Sequence, residues 1–233
     1  MQMQSVAGET QVQIETRNFI IRVYHWMTAG LAITGVVAWL MVSNPPMILG
    51  LVHIPFLFMG LLIAELVLVF CLAGWVMTMS SSTASLVFLL YSALNGVTIS
   101  VIFLVYTRAS IANAFFVTAG TFGAMSLYGY TTKDDLTSIG NFCIMGLFGI
   151  ILGSVANWFL HSPMLDWITT YASILIFVGL TAYDTQKIKK MNVIGNEGTE
   201  EDAKEAISGA LALYLDFINL FLSILRATGK RNR

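Results

Sequence analysis

Long apolar runs broken by short polar punctuation set the pattern of this chain. Seven stretches are long and apolar enough to cross a bilayer as helices: 20–42, 55–79, 84–106, 109–130, 136–160, 165–186 and 207–226. A helical span needs about 20 such residues. Between them lie SNPP (43–46), SSST (80–83), TR (107–108), TTKDD (131–135) and HSP (161–163), and only 187–206 makes a long polar connection. The pattern predicts an all-α, polytopic membrane protein. Residues 1–18 read as a polar tail, without the basic start and short apolar core of a cleavable signal, and 19–233 as a single transmembrane domain.

Composition agrees. Of 233 residues 57% are hydrophobic and 11% charged, against roughly 25% charged in soluble domains, so the lipid bilayer replaces water around most of the chain. The net charge of −1 and the absence of a dense basic cluster argue against a nucleic-acid partner. Cys71 and Cys143 sit inside apolar runs and read as buried, inert thiols. His25, His53 and His161 have no metal-ligand spacing.

Orientation follows from the basic residues. Seven crossings put Arg17, Arg22, Lys133, Lys187, Lys189, Lys190 and Lys204 on one side, and Arg108, Arg226, Lys230, Arg231 and Arg233 on the other. The richer side is the cytoplasmic one, so the amino terminus is expected inside. The basic end GKRNR (229–233) pulls the other way, which leaves open a six-span variant with a re-entrant last helix.

Intramembrane acids carry the candidate chemistry, because a carboxylate in hydrocarbon costs at least ~2.5 kcal/mol. On the last span Gly209, Ala212, Asp216, Asn219, Ser223 and Arg226 fall on one face. Such a strip must meet protein or a water-filled crevice, either as packing glue or as the wall of a path. On the sixth span Thr170, Ser173, Thr181 and Asp184 share a face. Spans six and seven are joined on the inner side, so Asp184 and Asp216 can meet near it. Two carboxyl groups in contact share a proton and titrate as a pair. With that proton gone, they repel or accept a hard cation. Glu65, alone in LLIAELVLVF (61–70), needs a proton or a partner. Arg226 is the reachable cation, unless it extends into the headgroups. Asn219, Ser223, Thr181 and Asn95 are candidate path-lining residues. The stripe Gly146, Gly149 and Gly153 reads as helix packing.

TAYDTQKI (181–188), LYLDFINLFLSILR (213–226) and MSLYGYTTKDDL (125–136) together resemble the bacterial branch of the Bax inhibitor 1 family, and the resemblance runs from RVYHWMTAGL (22–31) onward. It implies a central last helix wrapped by six others in two layers, a bacterial inner-membrane location and a pH-sensitive calcium leak, with calcium and protons as the ions handled. It implies no enzyme and no cofactor. Its paired acidic sensor, with transient calcium binding, matches Asp184 and Asp216, and its outer latch matches Glu65 and Arg226. A bacterial relative carries a basic residue on the second helix that locks the acidic pair. The matching position here is Val76, so the resemblance implies a closed state resting on the shared proton.

Two other classes compete. An intramembrane aspartyl protease would use two such aspartates as acid and base, but LYLD (213–216) lacks the glycines that admit a substrate strand. A regulatory protein that binds a membrane protease or another membrane partner would use the polar amino-terminal tail.

Overall fold

The computed structural model describes residues 2–232, and side chains from Gln11 onward except at Pro45 and Pro55. Its helices are α1 (Gln2–Ser43), α2 (Pro45–His53), α3 (Pro55–Trp75), α4 (Ser81–Ile99), α5 (Ile102–Val105), α6 (Arg108–Thr131), α7 (Thr137–Leu160), α8 (Pro163–Met191) and α9 (Glu200–Thr228). Among the described residues there is no strand, only an isolated bridge between Tyr106 and Arg231. Seven helical segments are long and apolar enough to cross a membrane: Gln11–Ser43, Phe56–Thr78, Ser81–Val105, Arg108–Thr131, Thr137–Leu160, Pro163–Met191 and Glu200–Thr228. These are the seven spans read from the sequence, each within a few residues except at the two ends where polar turns continue the helix.

The boundaries have local causes. Ser80 caps α4 by accepting from the Thr83 N–H at 3.2 Å, and Thr107 caps α6 by accepting from the Ser110 N–H at 3.3 Å. Prolines open α2 and α3, where a missing N–H costs nothing. His161 ends α7 with φ 49°, the left-handed conformation common just past a helix.

Three features depart from the sequence pattern. The polar tail is not set apart from the first span, because α1 runs unbroken from Gln2. It contains no proline, and Gln11 donates to Glu15 one turn on at 2.9 Å. At 42 residues it is about 63 Å long, well beyond a hydrocarbon core of about 30 Å. The connection after Ser43 carries the short helix α2, with Ile48 and Leu51 buried. The third span is broken: α4 stops at Ile99, and α5 resumes at Ile102.

The chain divides into two compact units. Unit 1 comprises residues up to Ile102 together with Ile188–Tyr214. Its interior holds Phe19, Val23, Met27, Phe88, Tyr91, Ile207, Ala210 and Tyr214. Gly30 lets α4 approach α1, since a Cβ there would strike the Phe88 ring and Ser92. Phe88 and Tyr91 both meet the Tyr214 ring edge-on, with centroids 5.8 Å apart. The Thr34 hydroxyl bonds the Gly30 and Ser92 carbonyls and lies 2.7 Å from the Tyr214 hydroxyl. With its proton engaged by a carbonyl, Thr34 accepts from Tyr214. One end of unit 1 is fastened by charge. Arg22 pairs with Asp202 at 2.8 Å and Glu197 at 3.2 Å, the Gly195 N–H donates to Glu15, and Lys204 donates to the Met77 carbonyl.

Unit 2 comprises Phe103–Lys187 together with Leu215 onward. There α7 packs on α8 through Gly140 against Tyr183, Cys143 against Gly179, and Gly146 against Ile176. The stripe is therefore Gly140, Cys143, Gly146 and Gly153, whereas Gly149 has nothing within 4 Å of its Cβ position. Gly129 brings α6 onto the Ala182 backbone of α8. Phe217 of α9 meets Phe115 and Phe122 of α6.

Of the seven spans α9 is the most buried, with 67% of its apolar window covered against 33% or less in the others. It is one continuous helix of 29 residues, about 43 Å long, long enough to cross a hydrocarbon core of about 30 Å. The residues that follow α9 are tied to the connection before α6: the Thr107 N–H donates to the Lys230 carbonyl and the Asn232 N–H to the Val105 carbonyl.

Candidate functional site

Unit 2 brings Asp184 of α8 and Asp216 of α9 together, with their carboxyl groups near enough to interact. A hydrogen bond between two carboxyl groups requires a proton on one of them, because carboxylates only accept. Asp216 is 4% exposed, and its Oδ2 is buried with no partner. Asp184 is less deeply placed, with Lys187 in electrostatic reach one turn on. Local sequence explains this arrangement. Asp216 sits among the large apolar residues that make α9 the covered helix, and Asp184 follows the closely packed Gly179 and Ala182, where α7 and α6 press on α8.

Gln186, two residues beyond Asp184, was not singled out in the sequence. Its side chain donates to the Asp134 carbonyl at 2.7 Å and accepts from the Leu136 N–H at 3.0 Å. It thus fixes the start of α7 to the carboxyl-terminal part of α8. A buried glutamine beside an intramembrane acid, inside the TAYDTQ motif, is the signal that marks it.

The candidate path-lining residues satisfy their own polar groups. Thr181 donates to the Phe177 carbonyl, Asn219 to that of Leu215, and Ser223 to that of Asn219, at 2.7–2.8 Å within their own helices. Asn219 and Ser223 are half-buried, and Arg226 is exposed. With Ala212, Leu215 and Leu222 they form the least buried line along α9, while Asp216 lies on its covered margin. Asn95 of α4 is buried, and its side-chain oxygen has no partner.

The two residues read as an outer latch each have another partner in their own unit. Glu65 accepts a hydrogen bond from Thr98 at 2.7 Å, and Arg226 lies 4.0 Å from Asp166 with both side chains about half exposed. Val76, at the position of the expected basic lock, is 4% exposed.

An all-helical chain with seven apolar spans and a buried acidic pair is a multi-pass membrane protein. Residues 16–233 match the family model described as "Inhibitor of apoptosis-promoting Bax1", and the chain belongs to the Bax inhibitor-1 family. It is 50% identical to the "Inner membrane protein YbhL" of Escherichia coli K12 over 217 residues, 92% of either chain. It is 42% identical to an uncharacterized protein of Borreliella burgdorferi over 98% of this chain and 99% of that one. A Deinococcus radiodurans protein, also uncharacterized, is 38% identical over 99% and 98%.

Proposed function

We propose that this protein is a pH-sensitive cation leak of a bacterial inner membrane, with calcium as the permeant ion and its amino terminus in the cytoplasm. It acts without catalysis. The observation that carries this reading is the close approach of the Asp184 and Asp216 carboxyl groups, with Asp216 buried.

With one proton between them the two groups bear a single negative charge and hold each other together. Loss of that proton as cytoplasmic pH rises leaves two carboxylates in contact in a low-dielectric site. They must then separate, moving α8 against α9, or take a cation between them. Calcium prefers carboxylate oxygens and takes 6–8 ligands, so two aspartates hold it in transit rather than as a resident ion. Protons and calcium compete for the same oxygens, and occupancy by calcium rises with pH. The line of half-buried Asn219 and Ser223 and exposed Arg226 beside Asp216 supports a route along α9. The inner-membrane placement rests on likeness to the relative so named.

Calcium entry into proteoliposomes, measured from mildly acid to mildly alkaline pH, tests this. Wild type should respond to pH, and Asp184→Asn and Asp216→Asn should not. The same response in all three would remove the pair from the gate.

A further inference from the structure

We infer that Gln186 of α8 is a positioning residue for the acidic pair: by holding α8 to the connection between α6 and α7, it sets the pH at which Asp184 and Asp216 part. The inference rests on the reading of that pair as a proton switch and names what opposes its separation.

Gln186 is 6% exposed. Its side-chain N–H donates to the Asp134 carbonyl at 2.7 Å, and its side-chain oxygen accepts from the Leu136 N–H at 3.0 Å. At 3.6 residues per turn, two steps carry it to the far side of α8 from Asp184. It continues the row Ile176, Gly179 and Tyr183, on which α7 packs through Gly146, Cys143 and Gly140. Helix α8 therefore meets α9 through the acids and is backed on its other side by the α6–α7 hairpin. The connection that Gln186 grips is itself firm. Leu136 is 2% exposed, and Asp135 accepts from the Thr137 N–H at 3.2 Å and the Thr137 hydroxyl at 2.7 Å. The Asp134 N–H donates to the Thr132 hydroxyl at 3.2 Å.

Two carboxylates that repel between α8 and α9 push α8 toward this backing. Moving it breaks the Gln186 bonds and leaves the buried Leu136 N–H without its acceptor, which adds the cost of an unmet donor. The clamp therefore favours the closed pair and lets it keep its proton to a higher pH. Other charges stand nearby. Lys187 of α8 acts on Asp184, and the Cys143 thiol of α7 lies within electrostatic reach of Asp216. From α6, Gly129 makes the contact with α8 and carries no charge. Lys133, Asp134 and Asp135 of the connection are exposed. Exchanging Gln186 for another neutral side chain leaves all of these charges as they are, so a shift in the pair's titration then reports the clamp.

The test uses the full chain in lipid with Gln186→Met, which keeps the length of the side chain and removes both bonds. Infrared titration reads the pH at which the pair's protonated carboxyl band is lost, and calcium entry is followed on the same preparation. In Gln186→Met both midpoints should fall by at least about half a pH unit, the worth of one ordinary hydrogen bond. Gln186→Asn, one methylene shorter, should shift them the same way and replaces the Met variant if that one does not fold. Thr185→Val removes a bond made within α8 and should leave the midpoints in place. Midpoints equal to wild type in the Gln186 variants would overturn the inference, as would an equal shift in Thr185→Val. A shifted carboxyl band without pH-dependent calcium entry would uphold the clamp and overturn the leak. Entry that responds to pH while the band stays unshifted would do the reverse.

Discussion

Asp184 and Asp216 bring their carboxyl groups within interaction range of one another inside unit 2, and Asp216 Oδ2 is buried without a hydrogen-bond partner. An asparagine at position 216 can donate its amide N–H to the Asp184 carboxylate, so the contact survives while the exchangeable proton does not. Asp216→Asn should therefore fold with an unfolding temperature close to wild type. Its calcium flux should no longer change with pH. Thermal unfolding in detergent and liposome flux, measured on the same preparation, separate a loss of gating from a loss of structure.

Close helix approach in unit 2 depends on particular glycines. A methyl group on Gly129 would run into the Ala182 carbonyl, whereas one on Gly149 would meet nothing within 4 Å. Overpacking costs about 1–3 kcal/mol, and α8 cannot recede without displacing the segment that carries Asp184. Gly129→Ala should lower the unfolding temperature clearly, and Gly149→Ala should leave it unchanged.

Arg22 pairs with a buried carboxylate and a partly exposed one: Asp202 is 2% and Glu197 37% exposed at the side chain. Asp202 also accepts from the Gly198 N–H at 2.9 Å. Arg22→Ala leaves Asp202 buried without its cation, and the expected loss is about 2–3 kcal/mol. Glu197→Ala removes a pair of the exposed kind, worth at most about 1 kcal/mol. Unfolding of the two variants under identical conditions should rank them in that order, and limited proteolysis between residues 192 and 199 should accelerate in Arg22→Ala.

Tyr214 donates to Thr34 at 2.7 Å in the interior of unit 1. Tyr214→Phe keeps the ring contacts with Phe88 and Tyr91 and removes the donor. About 1 kcal/mol should be lost, and Thr34→Val should cost less in this background than in wild type, because the shared bond is already gone and only the Thr34 bond to the Gly30 and Ser92 carbonyls remains to be lost. A double-mutant cycle on unfolding checks the coupling.

Much of this was legible in the sequence, and the reasons are physical. Apolar runs must be buried or in lipid, so the seven spans and the polar breaks between them at 80–83, 107–108 and 161–163 follow from composition alone. The Asp184–Asp216 contact was readable because two acids on consecutive helices have few ways to be tolerated in hydrocarbon. The partner of Glu65 was not. A lone acid can be met by a cation or by a hydroxyl, and Thr98 lies on the next helix, where periodicity does not select it. Gly149 was read with Gly146 and Gly153, yet the packed face steps through Gly140 and Cys143 instead. Spacing of three or four is shared by both choices, and contact alone decides between them. The helical amino-terminal segment was read as a plain tail because its composition is polar. What it docks on, the 192–197 connection through Glu15, Asn18 and Arg22, is distant in the chain.

The shared proton is the centre of the account, and infrared spectroscopy of the protein in lipid observes it directly through the carbonyl stretch of a protonated carboxyl group. Wild type should show such a band that disappears as pH is raised. The band should be altered in both Asp184→Asn and Asp216→Asn and preserved in Glu65→Gln. A spectrum with no protonated carboxyl, or one unchanged in the two aspartate variants, would contradict the account.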